Sequence, residues 1–206
     1  MKIFLLGATG RVGGRFLHFA LRDGHHVTAL VRNPERVNTP HPNLTIRQGD
    51  ARRQENIAQA LKGAEIVVSA LSTDGTTTLT DSIRFIIKAM TEENVKRIIT
   101  VGTAGILQSR TDPSLLRYQS NESKRSSTFA AEEHHQVYNL LAQTELLWTI
   151  VCPTALKKQT RPQPVRALRD YLPENGTSVS FSDTAAFVYK QIYDHEYVRA
   201  RVGIAY

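Results

Sequence analysis

The sequence has little cysteine and no long apolar segment, and each shortage excludes a class of protein. Cys152 is the single cysteine among 206 residues, so an internal disulfide is excluded. Because it lies in an apolar run, we interpret it as a core thiol in a reducing compartment and not as a nucleophile. The apolar run before Gly7 is too short for a signal-peptide core or a membrane span. We therefore expect a cytoplasmic protein with no membrane partner.

Acidic residues are scarce relative to basic ones. The chain has 26 Lys and Arg against 19 Asp and Glu, for a formal net charge of +7. The basic residues are scattered in separate pairs, such as Arg52-Arg53 and Lys157-Lys158, and no helix-turn-helix or zinc-finger spacing accompanies them. Because such a motif is missing, we expect no nucleic-acid partner. The excess of positive charge has another use, since a positive field also attracts anionic cofactors and substrates.

The most informative segment is the start of the chain. Lys2 to Leu6 is a short apolar run typical of a buried strand, and the glycines that follow predict a tight turn into a helix. The spacing of Gly7, Gly10 and Gly13 is G-x-x-G-x-x-G, not the usual G-x-G-x-x-G. A strand, a glycine turn and a helix N-terminus together form an anion site for a diphosphate. We assign this role to Gly7, Thr9, Gly10, Arg11 and Val12.

A second predicted strand, His26 to Val31, ends next to Arg32, which follows Gly13 by 19 residues. Dinucleotide-binding units place the group that meets the adenosine ribose at about this distance. An acidic residue there would bind the 2′-hydroxyl of NAD, whereas a guanidinium matches a phosphate. Arg32 and Arg36 therefore predict NADP(H) in preference to NAD(H), although two solvated surface arginines are the alternative.

Strands and helices alternate along the rest of the chain. We predict strands at Leu44–Arg47, Glu65–Ser69, Arg97–Val101, Leu147–Cys152, Ser178–Phe181 and Val202–Ala205. The last helix is predicted to begin at a cap formed by Ser182 or Asp183. This alternation predicts an α/β fold in a single domain, residues 1–206, with a doubly wound, mostly parallel sheet of the Rossmann-like, NAD(P)-binding type.

Further cofactor contacts are expected where strands end, since ligands of such sheets lie outside the carboxyl ends of the strands. Asp50 is a candidate acceptor for the adenine amino group, or alternatively a cap of the next helix. The small residues Ala70, Leu71 and Ser72 would let the diphosphate and ribose lie close to the backbone. Thr103 follows the fifth strand and is a candidate hydroxyl near the nicotinamide. Backbone groups around Pro153 are expected to hold its carboxamide.

These motifs resemble the atypical branch of the short-chain dehydrogenase/reductase superfamily. The similarity is greatest to small NAD(P)H-binding proteins akin to NmrA regulators and biliverdin reductase B, a flavin reductase. It rests on Gly7-Ala-Thr-Gly-Arg-Val-Gly13 and on the segment from Val31 to Arg36, and it extends over nearly the whole chain. The resemblance implies that Gly49-Asp50-Ala51 is the adenine-side turn. It also places a histidine at His134.

The sequence departs from the catalytic patterns of these relatives. Neither Tyr118 nor Tyr138 is followed by a lysine four residues later, so the Tyr-x-x-x-Lys pair is absent. Ala104 stands where the flavin-reductase-like relatives usually have a serine. The catalytic candidates that remain are Thr103 and His134. His134 is either a proton source near the substrate or a hydrogen-bonded histidine at a helix–sheet contact.

Two further expectations concern metals and the substrate side. His134, His135 and the two preceding glutamates do not make a metal site, because adjacent histidines on a helix face different ways. The polar segment 107–128 predicts a lid or binding loop, and the basic, turn-rich segment 157–176 predicts the other wall of the substrate cleft.

Two functions fit these observations. The first is an NADPH-dependent reductase acting on a flavin, quinone or similar conjugated small molecule, as a monomer or homodimer. The second is a regulator that senses NADP(H) without turnover, as NmrA-like proteins do.

Overall fold

A computed structural model describes residues 1–123, 126–158 and 163–206. Arg161 and parts of the two predicted substrate-side segments lie outside the described residues. Within them the chain forms five α-helices, α1 Gly13–Arg22, α2 Gln54–Leu61, α3 Thr78–Glu92, α4 Phe129–Ala142 and α5 Phe181–Lys190. The strands are β1 Lys2–Leu6, β2 His26–Val31, β3 Leu44–Gln48, β4 Ile66–Ser69, β5 Arg97–Val101, β6 Leu147–Pro153, β7 Ala155–Lys157, β8 Arg166–Arg169, β9 Ser178–Ser180 and β10 Ala200–Ala205.

Eight of these strands form one sheet in the order β3-β2-β1-β4-β5-β6-β10-β8. All neighbouring pairs are parallel except β10 and β8, which are antiparallel. The first six strands have the 3-2-1-4-5-6 order of a doubly wound dinucleotide-binding sheet. The predicted fold class is confirmed.

Both faces of the sheet are covered. In β1, Ile3 and Leu5 belong to the apolar cluster shared with α1 and α5, whereas Phe4 and Leu6 belong to the cluster shared with α2, α3 and α4. Side chains alternate along a strand, so a run that is apolar throughout can fill two cores. Such a strand suits an interior position, and β1 lies between β2 and β4.

Two elements near the C-terminus differ from the sequence prediction. Residues 157–176 were predicted as a turn-rich segment, yet they contain β8, which pairs with β10 along the edge of the sheet. The expected strand Ser178–Phe181 is a short strand that pairs with β7 in a separate two-stranded sheet. The predicted cap at Ser182 or Asp183 is wrong, because Ser180 Oγ accepts the Asp183 amide at 2.9 Å and caps α5.

Among the described residues, no helix combines the length and apolar character needed to cross a membrane.

Helix α1 packs very closely on the turn that precedes it. A Cβ atom added to Gly13 would lie 2.1 Å from the Gly7 carbonyl oxygen and 3.2 Å from Ala70 Cβ. The obstacle is main chain, which cannot rotate away as a flexible side chain would. Glycine at position 13 therefore lets α1 start directly against the end of β1.

The first prediction concerns this contact. Gly13→Ala should lower the free energy of unfolding by about 2–3 kcal/mol, since overpacking a close contact forces the backbone to shift. Gly14→Ala is the matched control, because its Cβ would meet the Ala8 oxygen at 3.2 Å. Chemical denaturation of both variants measures the difference, and equal effects would contradict the role given to Gly13.

Candidate cofactor site

The site lies where the strand order reverses, between β1 and β4. These strands are parallel neighbours, so their carboxyl ends open on the same edge of the sheet. The chain turns sharply there, with the Gly10 amide donating to the Gly7 carbonyl at 2.9 Å. Gly7 has φ +79°, and a Cβ on it would lie 2.4 Å from the Ala70 oxygen. Only glycine allows this turn to pack against the chain after β4.

Helix α1 begins beside this turn. Its first turn carries no acidic residue, and no side chain caps it. An uncapped helix N-terminus in front of a glycine turn attracts and binds anions such as phosphate. The glycines of the turn have no side chains and so leave room for a bulky diphosphate, and the residues present fit a dinucleotide.

A cleft of about 140 Å³ runs from this turn towards the ends of β2 and β3. It brings together nine of the residues that the sequence analysis assigned to the cofactor. These are Gly7, Thr9, Gly10, Arg32, Asp50, Ala51, Ala70, Leu71 and Ser72. Gly49 of the expected adenine-side turn also lines the cleft, together with four residues that were not predicted, namely Leu30, Val31, Asp74 and Thr78.

Five other assigned residues do not line this cleft. Arg11 projects over the Phe181 ring, 4.2 Å from its centroid, and Val12 is buried beside the same ring. Arg36 is exposed in a short 3-10 turn after β2. Thr103 follows β5, where its hydroxyl accepts the Gly105 amide at 3.4 Å, and Pro153 ends β6. Contact of these five with a cofactor stays a prediction.

Asp74 was missed because its place is decided by the tertiary structure. Its Oδ2 lies 3.9 Å from Arg32 Nη1, across the end of the cleft. It accepts hydrogen bonds from the Thr76 hydroxyl at 2.7 Å and the Thr78 hydroxyl at 3.1 Å. These bonds, that of Thr76 above all, lower the pKa of the Asp74 carboxyl. In the sequence, Asp74 followed by Gly75 is typical of a turn, and this pattern does not indicate a contact with Arg32.

The carboxylate of Asp50 is held by Arg52, two residues later in the sequence. Its carboxylate accepts the Arg52 amide and a guanidinium N–H, each at 2.9 Å. The Arg52 hydrogen bond is the main cause of the lowered pKa of Asp50. The alternative role as a helix cap is wrong, because the N-cap of α2 is Arg53. Asp50 nevertheless lines the cleft, and its contact with an adenine amino group stays a prediction.

The half-buried His134 lies on α4 beside a small cavity of about 10 Å³. The hydroxyl residues Ser69, Ser82 and Thr100 line the same cavity. The buried Thr100 hydroxyl has no hydrogen-bond partner among the described residues. Burial lowers the pKa of His134 to about 4. Its imidazole is therefore neutral at pH 7, able to donate one N–H but unable to act as an imidazolium acid.

Tyr118 and Tyr138, the tyrosines without a lysine four residues later, both contact His135. Tyr118 Oη is 3.0 Å from Nδ1 of His135, and His135 stacks on Tyr138. Burial raises the pKa of Tyr118. This is the reverse of what a catalytic tyrosine needs.

The segment after β5 is anchored to the body of the protein. Leu107 and Leu116 are buried in the core beneath α3 and α4, and Gln108 forms a β-bridge with Leu116. Arg117 and Glu122 form an ion pair at 2.8 Å. The role of 107–128 and 157–176 as substrate-side loops stays a prediction.

Cys152 is completely buried, as the sequence analysis expected. Burial raises the pKa of its thiol to about 12, so the thiolate needed for nucleophilic chemistry is not formed at neutral pH. No group of three or more potential metal ligands occurs within the described part of the chain.

The sequence matches a known family and resembles several curated proteins and solved structures. The model of a family described as NAD(P)H-binding matches residues 7–195. Isoflavone reductase homolog A622 of Nicotiana tabacum is 33% identical over 108 residues, which are 48% of this chain and 34% of that protein. The chain thus spans about a third of the length of this curated relative.

Solved structures share the fold along the whole chain. A proposed exported protein of Burkholderia pseudomallei is 29% identical, with a TM-score of 0.85 over 100% of both chains. A short-chain dehydrogenase/reductase of Veillonella parvula in complex with NADP is 21% identical, with a TM-score of 0.80 over 100% of this chain and 94% of that one. A proposed NADH-flavin reductase of Streptococcus pneumoniae is 20% identical, with a TM-score of 0.83 over 100% and 99%. The last two structures show a common fold only. The cytoplasmic location of this chain stays a prediction.

The burial of His134 predicts a pH-dependent stability. The unfolded chain takes up a proton near pH 6.5, whereas the folded imidazole does so only near pH 4. Protonation therefore favours the unfolded state, and this group should lower the free energy of unfolding by about 2–3 kcal/mol as pH falls through that window. His134→Gln should remove this part of the decline, whereas His18→Gln, an exposed control, should not. Urea unfolding between pH 7 and pH 4 measures it, and parallel curves for wild type and His134→Gln would contradict it.

Proposed function

Because the chain belongs to the NAD(P)H-binding family, we propose that it is an NADPH-dependent reductase of the atypical short-chain type. Its acceptor is a flavin, a quinone or a similar conjugated small molecule. The observation that carries the proposal is Arg32 at the adenosine end of a cleft that starts at the glycine turn. A guanidinium in that place favours a ribose 2′-phosphate over a 2′-hydroxyl.

The cofactor is proposed to contact residues that line the cleft and five that lie outside its lining, Arg11, Val12, Arg36, Thr103 and Pro153. The glycine turn and the start of α1 bind the diphosphate, with Thr9, Arg11 and Val12 beside it. Asp50 and Ala51 contact the adenine, whose amino group donates to Asp50. Arg32 and Arg36 bind the 2′-phosphate. Ala70, Leu71 and Ser72 allow the ribose to approach the backbone. Thr103 and Pro153 orient the nicotinamide at the ends of β5 and β6.

Arg11 is placed for its role by an aromatic ring. The guanidinium rests over Phe181, the first residue of α5, and Val12 packs on the same ring. A cation–π contact of this kind restrains a side chain that would otherwise move freely in solvent. Phe181 thus keeps a positive charge beside the N-terminus of α1, where the diphosphate is proposed to bind.

The chain supplies little acid catalysis. When bound, the reduced nicotinamide supplies the hydride, so the protein has to orient the reactants and assist a proton. Thr103 offers a hydroxyl, and His134 offers a neutral imidazole because burial lowers its pKa to about 4. Neither is a strong acid at neutral pH. This favours an acceptor that takes a hydride readily without prior protonation, as conjugated rings do.

The alternative is a sensor that binds NADP(H) without turnover. It is favoured by Ala104, which occupies the usual position of the catalytic serine in the flavin-reductase-like relatives, and by the hydrogen bond that ties Tyr118 to His135. Both functions need the same cofactor site. They differ only in whether an acceptor is reduced.

The cofactor assignment predicts a selective effect of Arg32→Ala. Loss of the guanidinium should cost about 1.5–3 kcal/mol of NADPH binding, the scale of hydrogen bonds to charged groups. This corresponds to roughly a 10- to 150-fold increase in Kd. NADH binding should hardly change, and Arg22→Ala, at the far end of α1, serves as a charge-matched control. Equal weakening for both cofactors in a calorimetric titration would show that Arg32 does not bind the 2′-phosphate.

The choice between enzyme and sensor predicts different assay results. A reductase should oxidise NADPH in the presence of FMN, FAD or soluble quinones, followed as loss of the reduced-nicotinamide absorbance. A sensor should bind NADPH, with a raised melting temperature, and show no turnover with any acceptor. Gly13→Ala, which disturbs the diphosphate turn, should abolish the activity and the thermal shift together.

A further inference from the structure

The arginine proposed to select NADPH does not stand alone in the cleft. Asp74 lies opposite it, with 3.9 Å between carboxylate and guanidinium. The Arg32 side chain is 67% exposed, whereas that of Asp74 is 30% exposed. A ligand that reaches Arg32 from solvent therefore approaches a negative charge that is already in position.

The position of Asp74 is fixed by its own hydrogen bonds. The Thr76 hydroxyl and amide donate to one oxygen at 2.7 Å and 3.2 Å, and the Thr78 hydroxyl donates to the other at 3.1 Å. Thr78 is buried and is the first residue of α3. The hydrogen bond from Thr78 thus ties the carboxylate to the start of a core helix and favours its present position.

The other carboxylate of the cleft is already neutralised. Asp50 forms an ion pair with Arg52 at 2.9 Å. The Arg32–Asp74 pair is longer, at 3.9 Å, and more exposed. Exposed ion pairs contribute little stability, so an incoming phosphate can take Arg32 from Asp74. Once this happens, the charge of Asp74 is left facing the phosphate.

We propose that Asp74 is a specificity-determining residue that limits the preference for NADPH over NADH. It competes with the 2′-phosphate for Arg32 and repels that phosphate, whereas a 2′-hydroxyl leaves the ion pair intact. The inference rests on the proposed function, in which Arg32 meets the adenosine ribose. The ratio of the affinities for NADPH and NADH then depends on two residues, Arg32 and Asp74, that lie on different loops.

Asp74→Asn tests the proposal with little change of shape, since the amide oxygen still accepts from Thr76. Kd values for NADPH and NADH are measured by calorimetric titration of wild type and variant. NADPH should bind about 5- to 30-fold more tightly to the variant, the range expected for removing one like charge a few ångströms from a partly exposed phosphate. The Kd of NADH should stay within about twofold.

Two further variants identify the origin of the change. Asp81→Asn removes a carboxylate in the first turn of α3 that accepts the Thr77 hydroxyl at 2.8 Å and lies outside the cleft lining. It should leave the Kd of NADPH unchanged. The double variant Arg32→Ala with Asp74→Asn is compared with Arg32→Ala. Here Asp74→Asn should tighten NADPH binding by less than half the factor that it gives in the wild-type background, because there is no longer any competition for Arg32.

Several results would overturn the inference. If wild type binds NADPH and Asp74→Asn binds it equally well, or if Asp81→Asn gives the same gain, the inference is wrong while the proposed function stands. If Asp74→Asn weakens NADH instead, Asp74 accepts from the ribose hydroxyls and does not compete for Arg32. If neither wild type nor any variant binds NADPH, although melting curves show folded protein, the proposed function fails and the inference with it.

Discussion

The closeness of three stretches of main chain at the end of β1 is the constraint on which the rest of the structure depends. Gly7 lies against the chain after β4, and Gly13 lies against the carbonyl of Gly7. Neither position has room for a side chain. Because the backbones meet there, α1 begins at the reversal of strand order, and its positive end points into an open cleft. The fold and the anion site are therefore produced by the same contact.

Charge in the cleft is distributed along its length. The end proposed for the diphosphate is formed by amides and a helix N-terminus, with Arg11 stacked on Phe181 beside it. The end proposed for the adenosine contains two arginine–aspartate pairs, one formed within a loop by Asp50 and Arg52 and one formed between loops by Arg32 and Asp74. The net charge of +7 does not describe this local balance. Selectivity between nucleotides depends on the individual pairs and their exposure.

The region around the proposed nicotinamide end is poor in strong acids. His134 is kept neutral by burial beside Ser69 and Thr100, and Tyr118 is bonded to His135. Such an environment suits hydride transfer between cofactor and a conjugated ring, or cofactor binding alone.

The sequence by itself determined the elements whose signals are local. Apolar runs and flanking glycines predicted β1, β2, β5 and the glycine turn, and the alternation of strands and helices predicted the doubly wound sheet. Arg32 was found because its distance from the glycine turn along the chain is characteristic.

The tertiary structure decided what depends on contacts between distant residues. Asp74 meets Arg32 across 42 positions of sequence, β8 pairs with β10, and Ser180 rather than Ser182 caps α5. Local propensity carries no information about which loops converge at a sheet edge. The order and pairing of the strands decide that convergence, and with it the charge that faces the ligand.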